Sequence, residues 1–166
     1  MTRSDGAHRL DDDDERWLTE AVALATSNVA EGGGPFGAVV VLDGVVIGTG
    51  QNRVTRDNDP TAHAEVQAIR AACRAIGGFS LDRATLYTSC EPCPLCLAAC
   101  LWSRARRVVY AANRDDAARA GFDDSLFYDL FAADRGTWPM PVVGHRVPAT
   151  SEPMDAWLAR PTKVEY

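Results

Sequence analysis

The chain has 166 residues, 46% apolar and 24% charged, enough to bury a core as one domain and unlike a disordered or fibrous protein. Its net charge of −6 argues against a broad attraction for nucleic acid. The longest apolar stretches, such as "GAVVVLDGVVIG", are too short to span a bilayer, and the N-terminus lacks a signal-peptide core, so a soluble cytoplasmic protein is expected.

Residues 1–10 read as a loose lead-in. Asp12 to Ala30 carries Trp17, Ala21, Leu24, Ala25 and Val29 at helical spacing, and "EGGG" (31–34) ends that helix. "FGAVVVL" and "VVIGTG" read as strands joined by a two-residue Asp43-Gly44 hairpin turn. After the "DNDPT" turn, Thr61 is the expected cap of a helix from Ala62 to Ile76, closed by Gly77-Gly78. "ATLYTS" is a strand, and Pro92 suits the first turn of a helix running from Cys93 to Trp102. "RRVVYAA" is a fourth strand, 124–132 a short helix and "PVVGHRV" (141–147) a fifth strand. Ser151 then caps "EPMDAWLA", and the chain continues into "RPTKVEY". The acidic run 11–15 and the arginines 104, 106 and 107 both read as solvated surface. This order describes an α/β layered domain on a mixed sheet, antiparallel at its first edge.

Four of the five cysteines crowd into "TSCEPCPLCLAAC" (88–100). In a reducing compartment, such spacing suits metal ligands or reactive thiols better than disulfides. Cys93 and Cys96, one helical turn apart, can send both sulfurs to one ion, and a helix N-terminus favours their thiolates. Alone, the pair could equally be a redox motif. The other half is "TAHAEVQAIRAA". His63 and Glu65 stand two apart and do not share a face of a regular helix, so both can serve one site only if the helix is just starting there. One imidazole and two thiolates give three protein ligands and leave a fourth position for water, the pattern of a catalytic zinc site. Glu65 is then free to move protons. A closed knot of Cys90, Cys93, Cys96 and Cys100 is the structural alternative, although three of these would have to leave one helix toward one ion. Cys73 and Cys100 read as small buried hydrophobes and Cys90 as lining. "HAE" followed by "PCPLC" matches the H-x-E…P-C-x-x-C signature of zinc deaminases.

Through these motifs, and through "GGGPFGAVVV", "DPTAHAEVQAIRAAC", "YAANRDDAARAGFDDS" and the terminal "EY", the chain resembles the cytidine deaminase superfamily, in particular its bacterial guanine deaminase branch. The resemblance implies a three-layer α/β/α sandwich on a mixed five-stranded sheet, forming one zinc-dependent deaminase domain over 1–166. It further implies one Zn2+ per subunit and a homodimer that exchanges its C-terminal segment, about 150–166. It assigns His63, Cys93 and Cys96 to the metal and Glu65 to proton transfer. Asn52 would bind the base, and Asp124, a second catalytic residue, would bind or protonate the departing amine. Ala64, Phe36 and Trp102 would line the pocket, and Tyr166 would close it from the partner subunit. The expected reaction is hydrolysis of guanine to xanthine and ammonia. Cytosine, triazines or guanosine are rival substrates, and a tRNA adenosine deaminase or a zinc-stabilised binding module are rival functions.

Overall fold

The computed structural model describes Leu10 and residues 12–166; residues 1–9 of the expected loose lead-in lie outside the described residues. The chain divides into two compact units, 1–125 and 126–166. The first holds helix α1 (Asp12–Ala30), strands β1 (Gly37–Leu42) and β2 (Val45–Gln51), helix α2 (Val54–Asp57) and helix α3 (Ala64–Ile76). Strand β3 (Thr85–Cys90), helix α4 (Pro94–Trp102), strand β4 (Arg107–Ala112) and helix α5 (Arg114–Arg119) follow. The second unit contains nearly all of α6 (Ser125–Ala132), a 3-10 turn at Arg135–Thr137 and α7 (Glu152–Ala159).

The sheet order is β2-β1-β3-β4, with β1 antiparallel to both neighbours and β3 parallel to β4. Alternation along the strands supplies two cores. Ala38, Val40 and Leu86 face α3 and α4, where they meet Ala64, Ala68, Ala72 and Cys100. Val39, Val41, Tyr87 and Val109 face α1 and pack on Trp17 and Ala21. The mixed sheet with helices on both faces agrees with the reading from sequence. The hairpin turn does as well: Asp43 (φ 50°) and Gly44 (φ 76°) both take the left-handed conformation such a turn requires.

The sheet has four strands among the described residues, not the expected five. "PVVGHRV" lies in the second unit, pairs with no strand, and leaves Val143 84% exposed. Its alternating valines looked like a strand, but a strand exists only where a neighbour takes up its N–H and C=O groups. Two helix starts also shift. Asp59 Oδ1 accepts from both the backbone N–H (2.8 Å) and the hydroxyl (2.6 Å) of Thr61. Thr61 therefore belongs to the preceding turn, and His63 takes the N-cap of α3. Likewise Pro94, not Pro92, opens α4, with Cys93 as its N-cap. Ser151 holds the N-cap position of α7 but makes no side-chain capping bond.

Two residues read as solvated are joined instead. Asp14 is 1% exposed and accepts both arms of the Arg107 guanidinium at 2.8 and 2.9 Å, together with the Tyr87 hydroxyl at 2.8 Å. A buried carboxylate is tolerable only with such partners, so this cluster ties α1 to β3 and β4. Among the described residues, no helix is long and apolar enough to cross a membrane.

Candidate zinc and substrate site

Close packing of α3 on the sheet places the first half of the site. Ala64, Ala68 and Ala72 form a small-residue stripe, and beneath it lie Gly48 and Gly50. A Cβ on Gly50 would fall 2.1 Å from the Ala64 carbonyl, and one on Gly48 would fall 2.5 Å from the Ala72 nitrogen. The helix therefore rests directly on the β2 backbone, and its first residue sits at a fixed height above the strand end. His63, with extended backbone (φ −68°, ψ 155°), precedes the first helical residue, while Glu65 lies in the first turn. The condition set by their spacing is met: the imidazole leaves the end of the helix rather than its side. Cys93 is likewise an extended N-cap (φ −65°, ψ 169°), with Cys96 one turn inside α4.

His63 Nδ1 lies 3.5 Å from Cys93 Sγ and 3.4 Å from Cys96 Sγ. All three ligand atoms fall within 4.8 Å of one another. A tetrahedral ion held at about 2.1 Å by nitrogen and about 2.3 Å by sulfur sets nitrogen–sulfur edges of about 3.6 Å, so the spacing of His63 from the two sulfurs suits zinc. Cys90 and Cys100 stand outside the group. Cys90 Sγ points to the Asn113 carbonyl, with burial raising its thiol to about 11, and Cys100 is packed in the core. A closed four-sulfur knot is not what the chain builds.

The electrostatics follow from the crowding. A hydrogen bond from the Cys96 thiol, aided by His63, holds Cys93 down to about 4, whereas Cys96, the donor in that bond, is pushed up. The pair thus carries one thiolate, ready for a cation that would favour a second. The Cys93 sulfur holds His63 above its ordinary 6.5, against the effect of burial. Glu65, 5% exposed, is raised chiefly by desolvation. Its Oε1 accepts from the Thr88 hydroxyl at 3.3 Å, and its Oε2 lies 3.3 Å from the Cys96 sulfur.

Asp124, on the run into α6, is raised by burial and by the nearby charge of Cys93. Phe36 packs edge-to-face on Phe122, with ring centroids 4.9 Å apart. Ala64 is fully buried between His63 and Glu65. Asn52 is buried at the end of β2, where its Oδ1 accepts from the Val54 N–H at 3.3 Å. Trp102 stands apart from these. It is at the opposite end of α4 from Cys93 and Cys96, 66% exposed, and lines an open cavity of about 390 Å³ with Ala98, Leu101 and Arg104. Tyr166 belongs to the second unit and is 70% exposed. Sequence reasoning missed Thr88 and Phe122. Thr88 carried a signal, since it shares the apolar face of β3 with Leu86, where a hydroxyl needs a partner.

The family model for the cytidine and deoxycytidylate deaminase zinc-binding region matches residues 11–112, which include His63, Glu65, Cys93 and Cys96. The chain belongs to this deaminase family. It is 50% identical to the guanine deaminase of Bacillus subtilis (strain 168) over 153 residues, 92% of this chain and 98% of that one. A crystal structure of guanine deaminase from Bacillus subtilis matches it with a TM-score of 0.89 at 48% identity, covering 95% of this chain and 99% of that one. The tRNA-specific adenosine deaminase of Buchnera aphidicola subsp. Schizaphis graminum is 38% identical over 117 residues, 70% of this chain and 78% of that one. The deaminase is thus a zinc-dependent hydrolase, and among the described residues His63, Cys93 and Cys96 form the group that can hold the ion.

Proposed function

We propose that this deaminase hydrolyses guanine to xanthine and ammonia. Support for guanine over an adenosine in tRNA comes from the likeness to guanine deaminase, which runs through both compact units, whereas the likeness to the tRNA enzyme covers 70% of the chain. The net charge of −6 also disfavours a polyanionic substrate.

Zinc, when held by His63 Nδ1 and the Cys93 and Cys96 sulfurs, supplies a Lewis acid that brings the pKa of water to roughly 7. Everything else is asked of the protein. Glu65, with Thr88 steering one carboxylate oxygen, accepts the proton of the attacking water and delivers it to the ring nitrogen next to C2. Its burial favours the protonated form and so makes it a competent donor once loaded. Glu65 then carries the proton of the C2 hydroxyl to the amino group, so that C2=O forms as the C2–N bond breaks and ammonia leaves toward Asp124. Asn52 presents its amide to the edge of the base. Phe36, backed by Phe122, forms one wall, and Ala64 keeps the floor shallow.

The whole chain acts as one deaminase domain, with about 150–166 supplying a tail that closes the site of a second subunit through Tyr166. Exposed apolar side chains on α4 (Leu101, Trp102) and in the second unit (Phe131, Val143, Met154, Leu158) are what a homodimer would cover. Trp102 would then serve a site through that interface. All five cysteines are free, which suits the cytoplasm. An ammonia-release screen of the purified zinc protein against guanine, guanosine, adenine, cytosine, cytidine and triazines tests the substrate. Guanine should be turned over fastest, and a faster cytosine or nucleoside would replace it.

A further inference from the structure

Asn28 lies in the last turn of α1, away from every motif of the deaminase signature, yet it is completely buried. Its Nδ2 donates to the Gly34 carbonyl at 2.8 Å and to the Asn52 carbonyl at 2.8 Å. An amide nitrogen has two hydrogens, and here both go to carbonyls from different segments, so the orientation of the side chain is unambiguous. The Asn28 backbone carbonyl also accepts from the Gly33 N–H at 2.8 Å. Two further bonds close the ring: Asn52 N–H to the Phe36 carbonyl at 3.0 Å, and Arg53 N–H to the Ala62 carbonyl at 2.9 Å, next to His63.

Of the glycines beside it, Gly33 has no room for a side chain and Gly34 has little. A Cβ on Gly33 would sit 2.4–2.6 Å from the Asn28 carboxamide atoms, and one on Gly34 would approach Asn52 Oδ1 to 3.1 Å. The "EGGG" stretch, which sequence reading takes only as a helix stop, is therefore shaped to let Asn28 reach through it. Serine has one donor hydrogen, leucine has none, and aspartate would set a charge against two carbonyl oxygens.

We propose that Asn28 is a positioning residue for substrate specificity: by clamping Gly34 and Asn52 together it fixes where the Asn52 amide and the Phe36 ring stand against the base. This rests on the reading in which Asn52 and Phe36 contact guanine. The hydrogen bonds of the Asn28 side chain go to Gly34 and Asn52 and not to the metal ligands or Glu65, so loosening it affects base binding ahead of chemistry.

The test uses zinc-loaded Asn28→Ser and Gly34→Ala, the latter crowding Asn52 without altering Asn28, with Asp14→Asn as a control that weakens the fold elsewhere. Each clamp variant should raise KM for guanine roughly tenfold with kcat within about threefold, the loss of one or two buried hydrogen bonds acting on binding. Zinc stoichiometry should stay at the wild-type level. Asp14→Asn should lower Tm and leave KM alone, which a purely structural role for Asn28 would mimic. Amide exchange adds a readout that needs no turnover. In Asn28→Ser the protons of Gly33, Phe36, Asn52 and Arg53 should exchange faster, while those of Gln67 and Leu97, bonded to the His63 and Cys93 carbonyls, should not change. Faster exchange with an unchanged KM overturns the positioning role, as does unchanged exchange. If Asn28→Ser does not fold, the KM of Gly34→Ala decides. If wild type releases no ammonia from guanine, the substrate reading fails, and the clamp stands or falls on exchange alone.

Discussion

Replacing Glu65 by glutamine keeps the shape of the side chain and removes only its capacity to carry a proton. Gln Oε1 can still accept from Thr88, so the first turn of α3 and the approach of His63 should be preserved. General acid–base catalysis contributes about 10²–10⁴ in rate. Here the upper part of that range applies, because Glu65 is only 5% exposed and buffer has little access to replace it. We expect kcat to fall about 10³–10⁴-fold, or ~4–5.5 kcal/mol of barrier. Ammonia release and zinc stoichiometry, measured on the same sample, are the assay. The variant retaining more than about a tenth of wild-type kcat with zinc bound would show that Glu65 is not the proton carrier. The metal-free protein gives a second readout with a defined sign. Burial raises the folded-state pKa of Glu65 above its ordinary 4.5, so the stability linked to this group is full below that value and is lost as pH climbs through the raised one. Metal-free Glu65→Gln should therefore melt above metal-free wild type at neutral pH, by on the order of 2–4 °C per kcal/mol of relieved desolvation. The gap should close as pH falls below about 4.5.

The packing of α3 on β2 makes Gly50→Ala a sensitive probe. Its Cβ would meet the Ala64 carbonyl at 2.1 Å, so the helix must lift, with a loss of about 1–3 kcal/mol in stability and a kcat lowered roughly 10–100-fold; a wild-type kcat would contradict the close-contact account. Because Cys93 is held near 4, chelator-treated protein should be alkylated by iodoacetamide at Cys93 at a rate that levels off above about pH 5, and zinc should block the reaction. A rate still rising through pH 8 would contradict the lowered thiol. Asp124→Asn should slow turnover about 10–100-fold with zinc retained, read from initial rates. Removing Tyr166 should raise KM for guanine without changing Tm. Mixing that truncation with Glu65→Gln should restore activity if tails cross between subunits, and no recovery in a verified mixed dimer excludes the exchange.

The chemistry of the centre was legible because it is written in short spacings. Cys93-x-x-Cys96 spans one helical turn, so its sulfurs can converge by spacing alone, whereas His63-x-Glu65 converges because the helix starts between the two residues. The two-residue gap also required the helix to be only starting at His63, although the expected start at Ala62 lay two residues before the observed one at Ala64. The errors have the opposite character. Asp14 and Arg107 looked solvated because each is surrounded by charge in sequence; their burial depends on one another and on Tyr87, partners 93 and 73 residues from Asp14. "PVVGHRV" has the alternation of a strand but no neighbour to bond, and only tertiary structure says whether an edge is there. Asn28 is an ordinary polar residue at a helix end until the Asn52 carbonyl, 24 residues on, comes within 2.8 Å. The sequence by itself determined which atoms could bind zinc and carry protons, since covalent spacing limits them. Which polar groups are buried, and what holds the pocket in shape, was decided only when distant segments met, because desolvation belongs to the folded surroundings rather than to the residue.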